Sequence, residues 1–104
     1  MAHPLRIQRK REKGWRMPEG AEYVGRPGLF GNPFNTAILY HEWIKYDRLP
    51  AYILSDEVRA ADLIYLRKRI LRRLPELRGK QLVCWCPLDA PCHADTLCEL
   101  ANGD

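Results

Sequence analysis

The sequence predicts a single α/β domain over residues 1–104, with a small, mostly parallel three-stranded sheet flanked by about three helices. Three observations point there. The run Gln81–Cys86 is apolar on both faces, as expected of a central strand covered on two sides. Leu63, Leu66, Ile70 and Leu74 recur at three- and four-residue spacing and mark the buried stripe of a long helix. The length of 104 residues supplies one modest core and is too short for two.

Taken in order, Leu5 and Ile7 alternate with Arg6 and Gln8, which predicts a short strand with the apolar pair facing in. Arg9-Lys10-Arg11-Glu12-Lys13 follows as a charge run, either a solvated edge or a phosphate-contacting patch. Residues 14–20, with two glycines and a proline, form a loop in which Trp15 beside Arg16 offers a stacking surface next to a positive charge. Trp15 reads equally well as a lid on the core.

Residues 21–26 predict a second strand, carried by Tyr23 and Val24. It enters a stretch with three glycines and two prolines in positions 25–34, where positive φ or close backbone approach is accessible. Arg26 and Asn32 are the polar groups this loop presents. Its glycine spacing matches neither a Walker loop nor a dinucleotide-binding loop.

Asn35 or Thr36 caps a helix from Ala37 to about Tyr46, with His41 on its polar side. The segment Asp47–Leu54 breaks that helix at Pro50. Ser55-Asp56-Glu57-Val58 starts the long helix, whose C-terminal half is crowded with Arg67, Lys68, Arg69, Arg72 and Arg73. Pro75 ends it, and Gly79-Lys80 turns the chain into residues 81–86. The last helix is expected from about Cys92 to Asn102, burying Ala94, Leu97, Cys98 and Ala101.

Hydrophobic residues make up 46% of the chain and charged ones 29%, a composition that argues against disorder. No apolar run approaches the roughly 20 residues of a membrane span, and the N-terminus has no apolar signal-peptide core. A cytoplasmic protein is the simplest expectation, and in that compartment four cysteines read as ligands, reactive thiols or core residues. The net charge of +4 weakly favours anionic partners.

The densest chemistry lies in Cys84-Trp85-Cys86 and Cys92-His93-Ala94-Asp95. Three readings stay open there. Cys84, Cys86, Cys92 and His93 are soft and borderline ligands suited to zinc, although the adjacency of Cys92 and His93 is unlike standard zinc spacing. Alternatively, Cys92 and His93 open a helix whose N-terminus lowers a thiol pKa and attracts anions, giving a pocket with Cys92 as nucleophile, His93 as acid or base, and Asp95 orienting. Plain core residues with a capping histidine are the third reading.

Several of these stretches resemble one family. Gly14-Trp15-Arg16-Met17-Pro18, Tyr23-Val24-Gly25-Arg26-Pro27, Gly31-Asn32-Pro33-Phe34 and the Cys84–Asp95 block are similar to the domain of unknown function 4326 family of small bacterial and phage proteins. The resemblance covers nearly the whole chain. It implies that the Gly25–Phe34 loop and the Cys84–Asp95 block form one site, at Arg26, Asn32, Cys84, Cys86, Cys92, His93 and Asp95. It implies no particular activity.

The leading expectation is therefore a site for a nucleotide or nucleotide-derived ligand, catalytic or not, with Trp15, Arg16, Arg26 and Asn32 as ligand-binding groups. The rival is a zinc-stabilised nucleic-acid-binding module using Arg9, Lys10, Arg11, Arg69, Arg72 and Arg73. A phage-type inhibitor of a host protein is a further alternative, and a homodimer with a shared pocket is compatible with each.

Overall fold

The computed structural model describes residues 2–103. Three short strands, β1 (Arg6–Gln8), β2 (Glu22–Tyr23) and β3 (Leu82–Cys84), form a sheet in the order β1-β3-β2. Both outer strands pair with β3 in parallel, Ile7 and Tyr23 each lying level with Val83. The central strand is the one whose run is apolar on both faces, and Leu82, Val83 and Cys84 are all buried.

Four helices complete the described chain, α1 (Ala37–Tyr46), α2 (Ala51–Leu54), α3 (Glu57–Arg73) and α4 (His93–Asn102), of which α4 packs on β1 and β3, α1 packs on α4 and α3, and α2 packs on α3. Thr36 caps α1, its Oγ1 accepting from the Leu39 N–H at 3.2 Å. Asp47, in the left-handed region at φ 57°, ends the helix four residues before Ala51. The helix thus ends at Asp47, ahead of the break expected at Pro50. Pro50 precedes the short α2, where a proline's fixed φ and missing N–H suit a helix start. Asp56 caps α3 through the Arg59 N–H, and the helix passes into a 3₁₀ turn at Leu74–Leu77.

Tyr40, Trp43 and Ile44 of α1 meet Ile53, Ile70, Leu77 and Leu97 in the core, all fully buried. Aromatic edges continue the packing from Phe34 to Trp43, on to Tyr40, and from Tyr40 to His93 at 5.1 Å between ring centres. Cys98 lies in this core as expected. His41 is half-buried between helices, with Nδ1 2.9 Å from Thr96 Oγ1 on α4.

One feature of the first strand reverses the expectation. Arg6 is buried at 4% exposure, while Leu5 and Ile7 are only half-buried. The reason lies far along the chain. Arg6 Nη1 meets Asp95 Oδ2 on α4 at 2.6 Å, and Nη2 donates to the Pro87 carbonyl. A bidentate guanidinium with fixed acceptors is buried more readily than one without partners.

Candidate functional site

The end of β3, the loop after it and the start of α4 bring three thiols together. Cys84, Cys86 and Cys92 place their sulfur atoms within 4.8 Å of one another, and none of the four cysteines is in a disulfide. Cys92 Sγ lies 3.3 Å from Cys84 Sγ and donates to it. That hydrogen bond draws the Cys84 pKa down to about 6, against the opposing effect of burial and with help from the Cys86 N–H and the Arg6 guanidinium. The same hydrogen bond, with burial, holds the Cys92 thiol well above its ordinary value, even though the Ala94 N–H points at its sulfur. Of the pair, Cys84 is the more acidic thiol and Cys92 the less acidic.

His93 is fixed by a long-range contact. Its Nε2 is 2.7 Å from the Val24 carbonyl, which only accepts, so the proton sits on Nε2. Nδ1 then carries a lone pair and lies 3.5 Å from Cys92 Sγ. Burial lowers the His93 pKa, the Arg26 and Arg6 charges add to that, and the Val24 carbonyl opposes it. The ring is a neutral imidazole.

Asp95 is engaged away from His93. One carboxylate oxygen takes Arg6 Nη1 and the other accepts from the His3 N–H at 2.9 Å. The orienting role suggested by its place two residues after His93 is therefore not what the geometry gives it. Asp95 anchors β1 and the Pro87 turn to the first turn of α4. Burial works against the Arg6 charge, but Asp95 and the two thiols outweigh it, and its pKa is raised.

On the opposite side of β3, toward β2, lies a cavity of about 350 Å³. It opens beyond the C-terminal ends of β2 and β3, where parallel sheets commonly hold ligands. Arg26, Asn32, Cys86, Cys92 and His93 line it, so both stretches singled out in the sequence share one concavity. The N-termini of two helices also reach it, α1 through Thr36 and Ala37 and α4 through Cys92 and His93. First-turn N–H groups and the positive end of the helix dipole favour an anion at such positions.

Asn32 shapes this wall more than it presents itself. Its Oδ1 accepts from the Phe34 N–H and its Nδ2 donates to the Thr36 carbonyl, both at 2.9 Å. Gly25 and Gly31 act by lacking a Cβ and not by positive φ. A Cβ on Gly31 would lie 3.1 Å from the backbone N and Cα of Arg26. Arg26 and Asn32 also border a second, more open depression of about 480 Å³ that reaches Leu66 and Arg69 on α3.

Trp85 and Tyr23 complete the cavity wall and were not singled out from the sequence. Arg9 lies 5.0 Å from the centre of the Tyr23 ring and 4.9 Å from that of Trp85, and Arg11 lies 4.8 Å from Trp85. Only the strand order, with β1 and β2 both against β3, brings these residues together. Trp15 and Arg16 do not line the cavity: Trp15 is half-buried and Arg16 exposed.

The basic residues of the rival reading fall into separate groups. Lys10 is exposed beside the Arg9–Arg11 ledge. Arg69 lies over Tyr65 and Arg73 pairs with Glu76, while Arg72 is exposed on the same helix. Arg67 has a structural task, giving Nε and Nη2 to the Trp43 and Ile44 carbonyls at the end of α1. No helix among the described residues is long and apolar enough to cross a membrane.

The chain belongs to the family described as a domain of unknown function (DUF4326), whose model matches residues 7–103. No curated protein and no solved structure matches it.

Proposed function

We propose that the cavity between the Gly25–Phe34 loop and the start of α4 binds a nucleotide or nucleotide-derived anion. The observation that carries this is the convergence of the Arg26 side chain and two helix N-termini on one cavity. The cavity's volume of about 350 Å³ lies at the small end of the usual range for ligand sites. Tyr23, Phe34 and Trp85 supply aromatic faces for a base beside the anion site. Cys92, committed as donor to Cys84, and His93, neutral and tied to Val24, read as wall and positioning groups.

The test is thermal melting and calorimetry with AMP, ADP, adenosine and inorganic phosphate. The phosphorylated nucleosides are expected to raise the melting temperature by mass action and adenosine to raise it less. Arg26→Ala should weaken nucleotide binding about tenfold or more, as expected for a lost charge-assisted contact, and leave the ligand-free melt unchanged. No shift with any of these compounds at millimolar concentration overturns the reading.

One observation favours a second reading. Trp85, 39% exposed and flanked by Arg9 and Arg11, forms a ledge suited to single-stranded nucleic acid. That reading requires oligonucleotide binding that weakens steeply with salt and is lost in Trp85→Ala.

A further inference from the structure

We infer that Cys84, Cys86 and Cys92 bind one zinc ion as three thiolate ligands, Cys92 releasing on binding the proton it otherwise donates to Cys84, with the fourth coordination position facing the cavity. This goes beyond the ligand reading above and does not depend on it. Three sulfur atoms within 4.8 Å of one another, two of them 3.3 Å apart, need only small side-chain adjustments to reach the separation of about 3.8 Å that tetrahedral ligands about 2.3 Å from a common ion adopt. Cys84 is fixed by β3 and Cys92 by its place at the N-cap of α4, so two of the three ligands sit on regular elements. Cys86 is carried by the loop whose carbonyls Arg6 holds, at Pro87 and, at 3.5 Å, at Cys86 itself.

The surroundings are those that thiolates need. The Arg6 guanidinium, whose side chain is fully buried, lies against Cys84, and its Nε has no hydrogen-bond partner. Three thiolates around a divalent ion leave one negative charge, and a buried cation beside them offsets it.

The spacing objection raised by adjacent Cys92 and His93 falls away in this arrangement. The triad needs no histidine, and the His93 ring is turned to Val24. Cys86 and Cys92 both line the cavity, so the position left by a fourth ligand opens there and not into the core. Zinc with three protein ligands and an open position is the pattern of sites that take an exogenous ligand. The predicted occupant is water, displaceable by a small anion.

The experiment measures metal content of the full chain purified without chelator, then cobalt(II) exchanged for zinc and followed by absorption. About one zinc per chain is expected, with a sulfur-to-cobalt charge-transfer band of three-thiolate intensity. Added azide should shift the cobalt ligand-field bands. Cys86→Ser, at a half-buried loop position, should lower zinc affinity about 100-fold or more, with circular dichroism confirming that the variant folds. Cys98→Ala and His93→Ala should each keep the metal and the band. A folded chain that neither retains nor takes up zinc overturns the inference, as does zinc retained at full affinity in Cys86→Ser. A four-ligand spectrum that ignores azide and changes in His93→Ala overturns the open position.

Discussion

The two sides of β3 are built from the same kinds of residue and do opposite things with them. Toward β1, Arg6, Asp95, the His3 N–H and the Pro87 carbonyl are spent on one another. Toward β2, the Arg26 side chain and the first turns of α1 and α4 face an open cavity. A buried arginine with its acceptors in place is architecture. An exposed one at converging helix N-termini is what the proposed anion site rests on. Each side contributes one arginine and one stretch of strand end, and only the pairing tells them apart.

The largest expected effect comes from breaking the closed side. Arg6→Met removes the donors for Asp95 and Pro87 and strands a half-buried carboxylate. Loss of about 3 kcal/mol of stability is expected, at the low end for a broken buried pair because Asp95 keeps some access to water. For a domain this small that is a fall of more than about 10 °C in melting temperature. Arg6→Lys should recover only part of it, since an ammonium cannot reproduce the two-pronged geometry. Denaturant unfolding of both variants measures this, and a cost below about 1 kcal/mol for Arg6→Met would remove the distinction between the sides.

Next in size is a change on the open side. An alanine Cβ at Gly31 meets Arg26 backbone atoms at 3.1 Å, which cannot swing away as a side-chain tip would. Gly31→Ala should cost about 1–3 kcal/mol by overpacking and displace the arginine that the cavity presents. Gly28→Ala is the matched control. Its nearest neighbour would be the Gly25 carbonyl oxygen at an ordinary 3.5 Å, so near-neutral stability is expected. Equal losses in the two variants would mean that the loop is sensitive to glycine replacement in general, and the close approach to Arg26 would carry no weight.

Much of this arrangement was legible in the sequence. Residues 81–86 identified the central strand because both their faces are apolar, and the stripe of Leu63, Leu66, Ile70 and Leu74 identified α3. Arg26, Cys92 and His93 were singled out and do share a cavity. The misreadings have one physical cause. Arg6 was placed facing outward because a three-residue strand gives alternation too little length to outweigh a partner 89 positions away. Tyr23 and Trp85 were missed for the same reason, since their meeting over Arg9 depends on strand order and on no local pattern. Trp15 and Arg16, an attractive stacking pair in isolation, stand off the cavity because their loop lies before β2 and not after it.

The smallest effect separates stability from presentation on the open side. Thr36 is exposed, caps α1 through the Leu39 N–H, and borders the cavity at the helix end proposed to meet the anion. Thr36→Ala should lower stability by about 1 kcal/mol, the usual cost of a lost cap, and the melting temperature by about 4–8 °C. Thr36→Ser keeps the accepting oxygen and should restore both. If the α1 N-terminus serves the ligand as well as the fold, Thr36→Ala should also weaken nucleotide binding severalfold at a temperature where the variant is fully folded. Fraying of the first turn misdirects the N–H groups that the anion would use. A variant that loses stability but binds as before would confine α1 to architecture and leave α4 and Arg26 to hold the anion.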